Sequence, residues 1–441
     1  MKTNTINNYP RVLIVSHNAL SDTQSNGKTL SAFFKHWDYE NIAQLYLTSD
    51  VPDFSFCNKF FQLHDIDILK RALLNKHIQG RRVISQDVPK IISFKGKITN
   101  SSVLKLVRKN LSPVFRLLRD ILWDIGGFKT PALIRFIDEF NPQVVYFQSS
   151  SGLFAYSLTK WICQSRNIPL VMHITDDYVT GYYSLNPFFW IQHFRLLRAF
   201  KWAVLYSDYL VASSEKMARE YKLRFGGNYL VAQNSIYSPD LPKYISKNDK
   251  IQFVYAGNLV LNRWKILALI AECFEELHSE EGFNVELSIY SLVEPGEREL
   301  LHLNRPPFSC FKGSINTDEL NAVKVSSDVL VHVEAFDRKN RHITRLSLST
   351  KIPEYLASGR CIFAVGPEDV SSMQYLAEYD LGVTVMSDNK SKIKQALKKV
   401  MINSEMRTQY ATKGLKVADL KHNSDKTAEN IHKIILSAVK K

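Results

Sequence analysis

The stretch from Ser347 to Pro367 reads SLSTKIPEYLASGRCIFAVGP and carries the two residues best suited to do chemistry, Lys351 and Glu354. Ser349 and Thr350 suit a helix N-cap, Pro353 is tolerated in a first turn, and Gly359 suits a left-handed stop. The spacing therefore predicts a short helix with Lys351 and Glu354 near its start. Such a start presents unpaired backbone N–H groups and a partial positive charge, and with the Lys351 ammonium added it is fit to hold a diphosphate. Glu354, further in, can accept hydrogen bonds from two vicinal hydroxyls of the kind a ribose presents. The blander reading of the same letters is a well-capped surface helix whose charges are solvated.

A second candidate closes an apolar run in the first half, Val171-Met-His173-Ile-Thr-Asp176-Asp177-Tyr178. A histidine beside carboxylates can anchor a substrate or accept a proton near neutral pH. The same residues also fit a packed strand-end histidine, with Asp176 or Asp177 capping the next helix. Asn26-Gly27-Lys28-Thr29 follows the first strand and opens a helix, where a glycine lets the backbone approach a ligand. It is not a P-loop, because the glycine required five residues before Gly27 is Asp22. Asp65-Ile-Asp67 has the form of a metal-binding triplet, but such short patterns recur by chance, and these acids equally suit the start of a helix through Leu69–Leu74. No catalytic metal and no cofactor are expected.

The elements that must position these residues alternate along the whole chain. Strand-like apolar runs fall at Arg11–Val15, Ile42–Leu47, Val144–Phe147, Leu170–Ile174, Tyr209–Ala212 and Tyr229–Val231. After the polar stretch Leu241–Lys250 they resume at Gln252–Ala256, Val285–Tyr290, Val329–Val333, Cys361–Val365 and Gly382–Val385. Helix-length segments separate them, which is the pattern of α/β domains with parallel sheets. A chain of 441 residues fits two such domains. The boundary is expected near residue 245, giving units of 1–245 and 246–441, the second ending in an amphipathic helical tail that packs on the outside. Open parallel sheets bind ligands at the carboxyl ends of their strands, so the expected fold class is two Rossmann-like doubly wound domains facing across a cleft.

With these pieces in order, the second half resembles the C-terminal domain of GT-B glycosyltransferases, in particular the bacterial family 4-like enzymes of polysaccharide assembly. Lys351-Ile-Pro-Glu354-Tyr-Leu-Ala357-Ser-Gly359 is similar to that family's donor-gripping helix, and Phe253-Val-Tyr-Ala-Gly257-Asn258-Leu to its opening strand and loop. Phe311-Lys-Gly313-Ser-Ile with Glu319-Leu320 looks like its base-binding turn, and Ser327-Asp328-Val-Leu-Val331-His332 like the strand leading to the sugar site. The likeness covers about residues 252–390; the first half matches only in general layout. The resemblance implies transfer of a sugar from a nucleotide-diphosphate donor to a saccharide acceptor in surface polysaccharide assembly, with retention of anomeric configuration and without a metal. It implies a donor site that includes Gly257, Arg263, Lys265, Gly313, Arg345, Lys351 and Glu354, with Arg341 a further cation, and places Gly27 in a loop facing the donor phosphates or the acceptor. His173 and Asp176 are then the catalytic candidates near the acceptor. Two departures stand out. The family's second glutamate, eight positions before Glu354, is Leu346, which removes a donor-sugar contact and weakens the implied retention. Its paired Arg and Lys five apart are replaced by Arg263 and Lys265.

The formal net charge is +14, and the hydrophobic and charged fractions of 45% and 23% are those of a chain that folds. Between Leu69 and Thr130 fourteen basic residues stand against three acidic ones, so one segment, about 69–130, is expected to face phosphate-bearing partners. Asn186–Tyr206 interleaves aromatic and aliphatic residues with Arg195, Arg198 and Lys201, and Leu104–Lys109 and Val114–Arg119 repeat that theme. This suits either a helix lying in a bilayer interface or a buried core helix. The membrane reading would accommodate a lipid-linked acceptor. The five cysteines form no ligand spacing and no apolar run is long enough for an export signal or a spanning helix, so a cytoplasmic protein, peripheral on the inner face of the plasma membrane, is expected. Two other readings share these features: a sugar-nucleotide epimerase, and a basic nucleic-acid-binding protein, although no recognised nucleic-acid motif accompanies the charge and no nucleic-acid partner is expected.

Overall fold

The computed structural model describes residues 9–21, 25–64, 67–68, 80–87, 112–180, 184–233, 235–236 and 250–440. The chain forms two compact units. The first runs to Ala232 and takes back the segment from Lys426; the second is Gln233–Asp425. The linker expected at 241–250 lies, except for Lys250, outside the described residues, as do Asp65 and most of the basic segment 69–130.

In the first unit, β1 (Val12–Ser16), α1 (Ser25–Phe33), β2 (Ile42–Tyr46), β3 (Phe60–Gln62) and β4 (Arg81–Val83) precede α2 (Ser112–Gly126) and α3 (Pro131–Phe140). Then come β5 (Val144–Gln148), α4 (Leu153–Arg166), β6 (Leu170–Ile174), α5 (Pro187–Tyr206), β7 (Ser207–Ala212), α6 (Glu215–Phe225) and β8 (Tyr229–Val231). The sheet order is β4-β3-β2-β1-β5-β6-β7-β8, parallel except for β4. Every residue of β1, β2, β5 and β6 is buried, as central strands covered on both faces must be, which is why they read as mainly apolar runs, with Gln44 and His173 among the buried polar exceptions. Local signals set the helix ends. Thr130 caps α3 through Leu133 N–H with Pro131 at the first position, and Asn141 and Asn167 end α3 and α4 in the left-handed region.

The second unit contains β9 (Ile251–Ala256), α7 (Arg263–Glu281), β10 (Val285–Tyr290), α8 (Glu297–Leu303), β11 (Ser309–Gly313), α9 (Thr317–Ser326) and β12 (Val329–Val333). It continues with α10 (Arg338–Thr344), α11 (Lys351–Ala357), β13 (Cys361–Val365), α12 (Ser371–Glu378), β14 (Val383–Val385), α13 (Lys390–Ile402) and α14 (Ser404–His422). All six strands are parallel in the order β11-β10-β9-β12-β13-β14. The chain therefore reverses direction across the sheet between β9 and β12, the place where doubly wound sheets open a ligand crevice. One face is packed by α7 and α13 through Ile266, Ile270, Phe274, Ile393 and Leu397. The other is packed by α11, α12 and α14 through Ile352, Tyr355, Leu356, Met373 and Ala418.

The final helix, α15 (Ser424–Val439), belongs from Lys426 onward to the first unit. Its Ile431, Ile434, Ile435 and Ala438 sit in the core of the first unit with Val12, Ile14, Leu30 and Phe33. The physical reason is that the spacing makes one apolar stripe, and a stripe goes to whichever core lacks a wall. Ile435→Ala should accordingly cost about 2–4 kcal/mol. Denaturant unfolding resolved by unit would show the loss in the transition of the first unit; a loss confined to the second would contradict this placement.

Candidate functional site

At the carboxyl end of β9 the chain turns through Gly257 and reaches α7. Leu261 and Asn262 both have φ near +60°, at 62° and 59°, and Asn262 spends its side chain on Asp337, at 3.0 Å, rather than capping α7. The first N–H groups of this 19-residue helix thus receive no side-chain cap. Arg263 is its first residue.

The expected helix over Lys351 is present, ended by Gly359 at φ +62° as expected, although Thr350 has helical torsions and makes no side-chain cap. Two of its side chains bind it to the end of β9. Lys351 Nζ donates to Tyr255 Oη at 3.1 Å and lies 4.4 Å from that ring's centroid. Tyr255 in turn donates to the Asn258 carbonyl at 2.7 Å. One turn on, Tyr355 Oη accepts from Ala256 N–H at 3.0 Å and donates to Ala256 O at 3.1 Å. Gly257 belongs here for a steric reason: a Cβ would lie 2.7 Å from both Cδ and Nζ of Lys351. Gly257→Ala is therefore expected to push Lys351 aside and weaken anion binding at least about tenfold without unfolding the unit, an outcome calorimetry on the variant can check.

Arg263 meets Glu334, the residue directly after β12, in a two-pronged pair. Nη2 donates to Oε2 at 2.9 Å, with Nε to Oε2 and Nη2 to Oε1 both at 3.2 Å. Their side chains are only 12% and 2% exposed, so the pair is largely withdrawn from water. His332, two residues earlier, is fully buried with neither ring nitrogen hydrogen-bonded, and its Nε2 lies 3.5 Å from Glu334 Oε1. Burial first, then the charges of Lys351 and Arg263, hold it well below the ordinary histidine range. The same causes act on Lys351 itself: burial and the Arg263 guanidinium push its ammonium down to about 7, with Glu334 and Glu354 offsetting only part. Two cations are thus crowded at one strand end, which is the electrostatic condition for receiving an anion.

Glu354 stands beside this cluster, one turn into α11. Its Oε2 accepts from Lys324 Nζ of α9 at 3.1 Å, and Lys324 is 5% exposed. The carboxylate is thereby fixed in place. The remaining expected residues are less closely tied. Lys265 is exposed, 5.9 Å from the Trp264 ring. Gly313 ends β11 at φ +79°, a backbone state that favours glycine. Arg345 caps the end of α10, its carbonyl accepting from Ser371 N–H at 2.9 Å. Arg341 is bound to Asp369 at 2.6 Å, and Leu346 is wholly buried. Glu334, Lys324 and Tyr355 were not expected. A glutamate after a strand and a lysine within a helix carry no signal of their own.

In the first unit His173 lies on β6 and is 1% exposed, packed at 5.3 Å from the Phe33 ring and 5.9 Å from that of Tyr146. Burial lowers it to about 3 and its Nδ1 has no hydrogen-bond partner. The strand that carries it is buried along its whole length, and burial favours the neutral imidazole. Asp176, in the following loop, accepts from Tyr178 Oη at 3.1 Å. Asp177 caps no helix; it accepts from Tyr221 Oη at 2.6 Å and Thr180 N–H at 2.9 Å. Gly27 falls inside α1, where a Cβ would be 2.5 Å from Ala19 O, so its smallness lets the helix pack closely on the residues that precede it. Among the described residues no group of three or more His, Cys, Asp or Glu is placed to hold a metal ion, and no helix is long and apolar enough to cross a membrane.

No family model and no curated protein sequence matches the chain. Solved structures do. A sucrose-phosphate synthase from Thermosynechococcus elongatus overlays with a TM-score of 0.64 at 11% identity, covering 97% of this chain and 98% of that one. HepE from Anabaena, in complex with UDP and glucose, overlays at 0.62 with 10% identity, covering 97% and 100%. WaaG, a glycosyltransferase involved in lipopolysaccharide biosynthesis, overlays at 0.55 with 13% identity, covering 95% and 99%. Two parallel doubly wound sheets, each with its own switch point, together with overlays that span nearly the whole chain, identify the fold as that of the GT-B glycosyltransferases.

Proposed function

We propose that the protein is a glycosyltransferase that takes a nucleotide-diphosphate sugar in its second unit and passes the sugar to a saccharide acceptor on a lipid carrier, as a peripheral enzyme of surface polysaccharide assembly at the cytoplasmic face of the membrane. The observation that carries this reading is the crowding of Lys351 and Arg263 at the end of β9, beside the start of α7. Two phosphates between these donors would relieve the repulsion. Glu354, three residues from Lys351, supplies the carboxylate for the ribose hydroxyls. The acceptor hydroxyl forms a bond to the anomeric carbon as the bond from that carbon to the phosphate oxygen breaks, the hydroxyl proton passes to that departing phosphate oxygen, and the leaving diphosphate takes its remaining charge into a preorganised cationic site. Asp176, in the loop after β6, is assigned the orientation of the acceptor, with His173 supporting that loop from the core. Retention of configuration is part of the proposal, with the sugar contact that Leu346 lacks left to other residues.

Thermal stabilisation by UDP-, GDP- and dTDP-sugars tests the donor site. A donor at 100 times its dissociation constant should add about 2.7 kcal/mol, and Lys351→Ala and Glu354→Ala should each lose most of it. If both variants keep full turnover with every activated sugar, the proposal is wrong. Donor conversion with no acceptor present would instead favour an epimerase.

A further inference from the structure

Helices α2 and α5 pack on each other, and Arg195 of α5 binds Asp124 of α2 at 2.8 Å. Each already has a buried face, through Trp123 on α2 and through Leu196 and Phe200 on α5. Their other faces should then be polar, and they are not. On α2 Phe115, Leu118, Ile121 and Ile125 are exposed, Ile125 at 67%; on α5 Phe188, Ile191 and Phe194 are exposed, Phe194 at 61%. Spacings of three and four residues put each set on one side of its helix.

The charges on this face have one sign. None of the twenty residues of α5 is acidic, and its exposed Arg198 and Lys201 continue the stripe of Phe188, Ile191 and Phe194. Arg116 of α2 is exposed as well, whereas the two acids of α2 are engaged, Asp124 with Arg195 and Asp120 by burial. Next to α5, on α4, Trp161 carries Arg166 at 5.1 Å, and Trp202 of α5 carries Lys160 at 5.2 Å, which is the mixture of aromatic and cationic side chains that settles at a bilayer interface.

We infer that the outward faces of α2 and α5 dock on a membrane surface containing anionic lipid, with Ile125, Phe188, Ile191 and Phe194 entering the acyl boundary and Arg116, Arg198 and Lys201 meeting lipid phosphates. A second copy of the chain is a poorer occupant, because it would set the same cations against each other. A bilayer offers hydrocarbon and phosphate at adjacent depths. This surface lies in the first unit and the donor candidates Arg263, Lys351 and Glu354 in the second, so it is testable without donor.

The test is flotation of the full chain with phosphatidylcholine vesicles and with vesicles of phosphatidylcholine and phosphatidylglycerol, at low and high salt and with no nucleotide present. Binding is expected only to the anionic vesicles and should weaken with salt. Ile125→Ser/Phe194→Ser should lower partitioning at least about tenfold, and Arg198→Gln/Lys201→Gln by about fivefold per charge, with unchanged thermal midpoints because all four residues are on the surface. Absence of wild-type binding to anionic vesicles at low salt would overturn the inference, as would equal binding by the Ile125/Phe194 variant. A concentration-dependent dimer that this variant dissolves would overturn it in favour of a second copy. In every outcome the donor-stabilisation experiment stands by itself, so the two readings fail separately.

Discussion

Lys351→Met is expected to lower kcat/KM by roughly 10²–10³-fold while making the folded protein more stable at pH 6 to 7. Both effects come from one charge. The loss of turnover is that of removing a single preorganised donor from a site where charge develops on a leaving group. The gain in stability follows from proton linkage. An unfolded lysine keeps its proton to about pH 10.4, whereas burial and Arg263 push Lys351 down to about 7 in the fold. Between roughly pH 7 and 10 the unfolded chain therefore binds more protons than the folded one, and stability rises with pH across that window. Below pH 7 the wild type carries the whole cost of a charged Lys351, and a methionine carries none. The advantage of the variant should shrink toward pH 10. Nucleoside diphosphate binding should run the other way, since it draws on the ammonium: the wild-type dissociation constant should rise by up to tenfold per pH unit above about pH 7 and stay flat, though weak, in the variant. Urea unfolding and calorimetric titration at three pH values between 6.5 and 9.5 would check both. A stability difference that does not change with pH would sink the account.

Glu334→Ala should produce the largest loss of stability at the site, about 3–5 kcal/mol. Arg263 would lose all three hydrogen bonds to its partner and remain withdrawn from water beside Lys351. Glu334→Gln keeps the shape but not the charge, and should fall between wild type and alanine. Removing both members of a buried pair is far milder than removing one, so Arg263→Met/Glu334→Leu should recover most of the stability and none of the turnover. A double-mutant cycle by denaturant unfolding gives the coupling directly. Pyrophosphate or a nucleoside diphosphate should rescue Glu334→Ala more than wild type, because phosphate oxygens can replace the missing carboxylate around Arg263. Equal stabilisation of the two proteins would show that no anion reaches Arg263.

How far these residues were legible follows from the range of the interactions involved. The strand runs were readable because burial on both faces leaves an unbroken apolar segment, as at Val144–Phe147 and Cys361–Val365. The short β3 and β4 and the half-exposed β11 lack such a run and were not read as strands. Gly359 was readable because a left-handed stop has a local cause. The packing reason for Gly27 is not legible in the same way, because the atom a Cβ would meet, the carbonyl of Ala19, is brought near only by the fold.

By itself, then, the sequence determined the alternation of strands and helices, the two parallel sheets and the helix that carries Lys351 and Glu354, all of which depend on periodicity and caps within a few residues. Tertiary structure alone decided that Glu334 would face Arg263 from 71 residues away, that Lys324 would hold Glu354 from 30 away, that His173 would vanish into a core, and that α15 would return to the first unit. Charge pairing and burial are properties of space. A linear pattern reports which residues could form them, and only the strand order settles which ones meet.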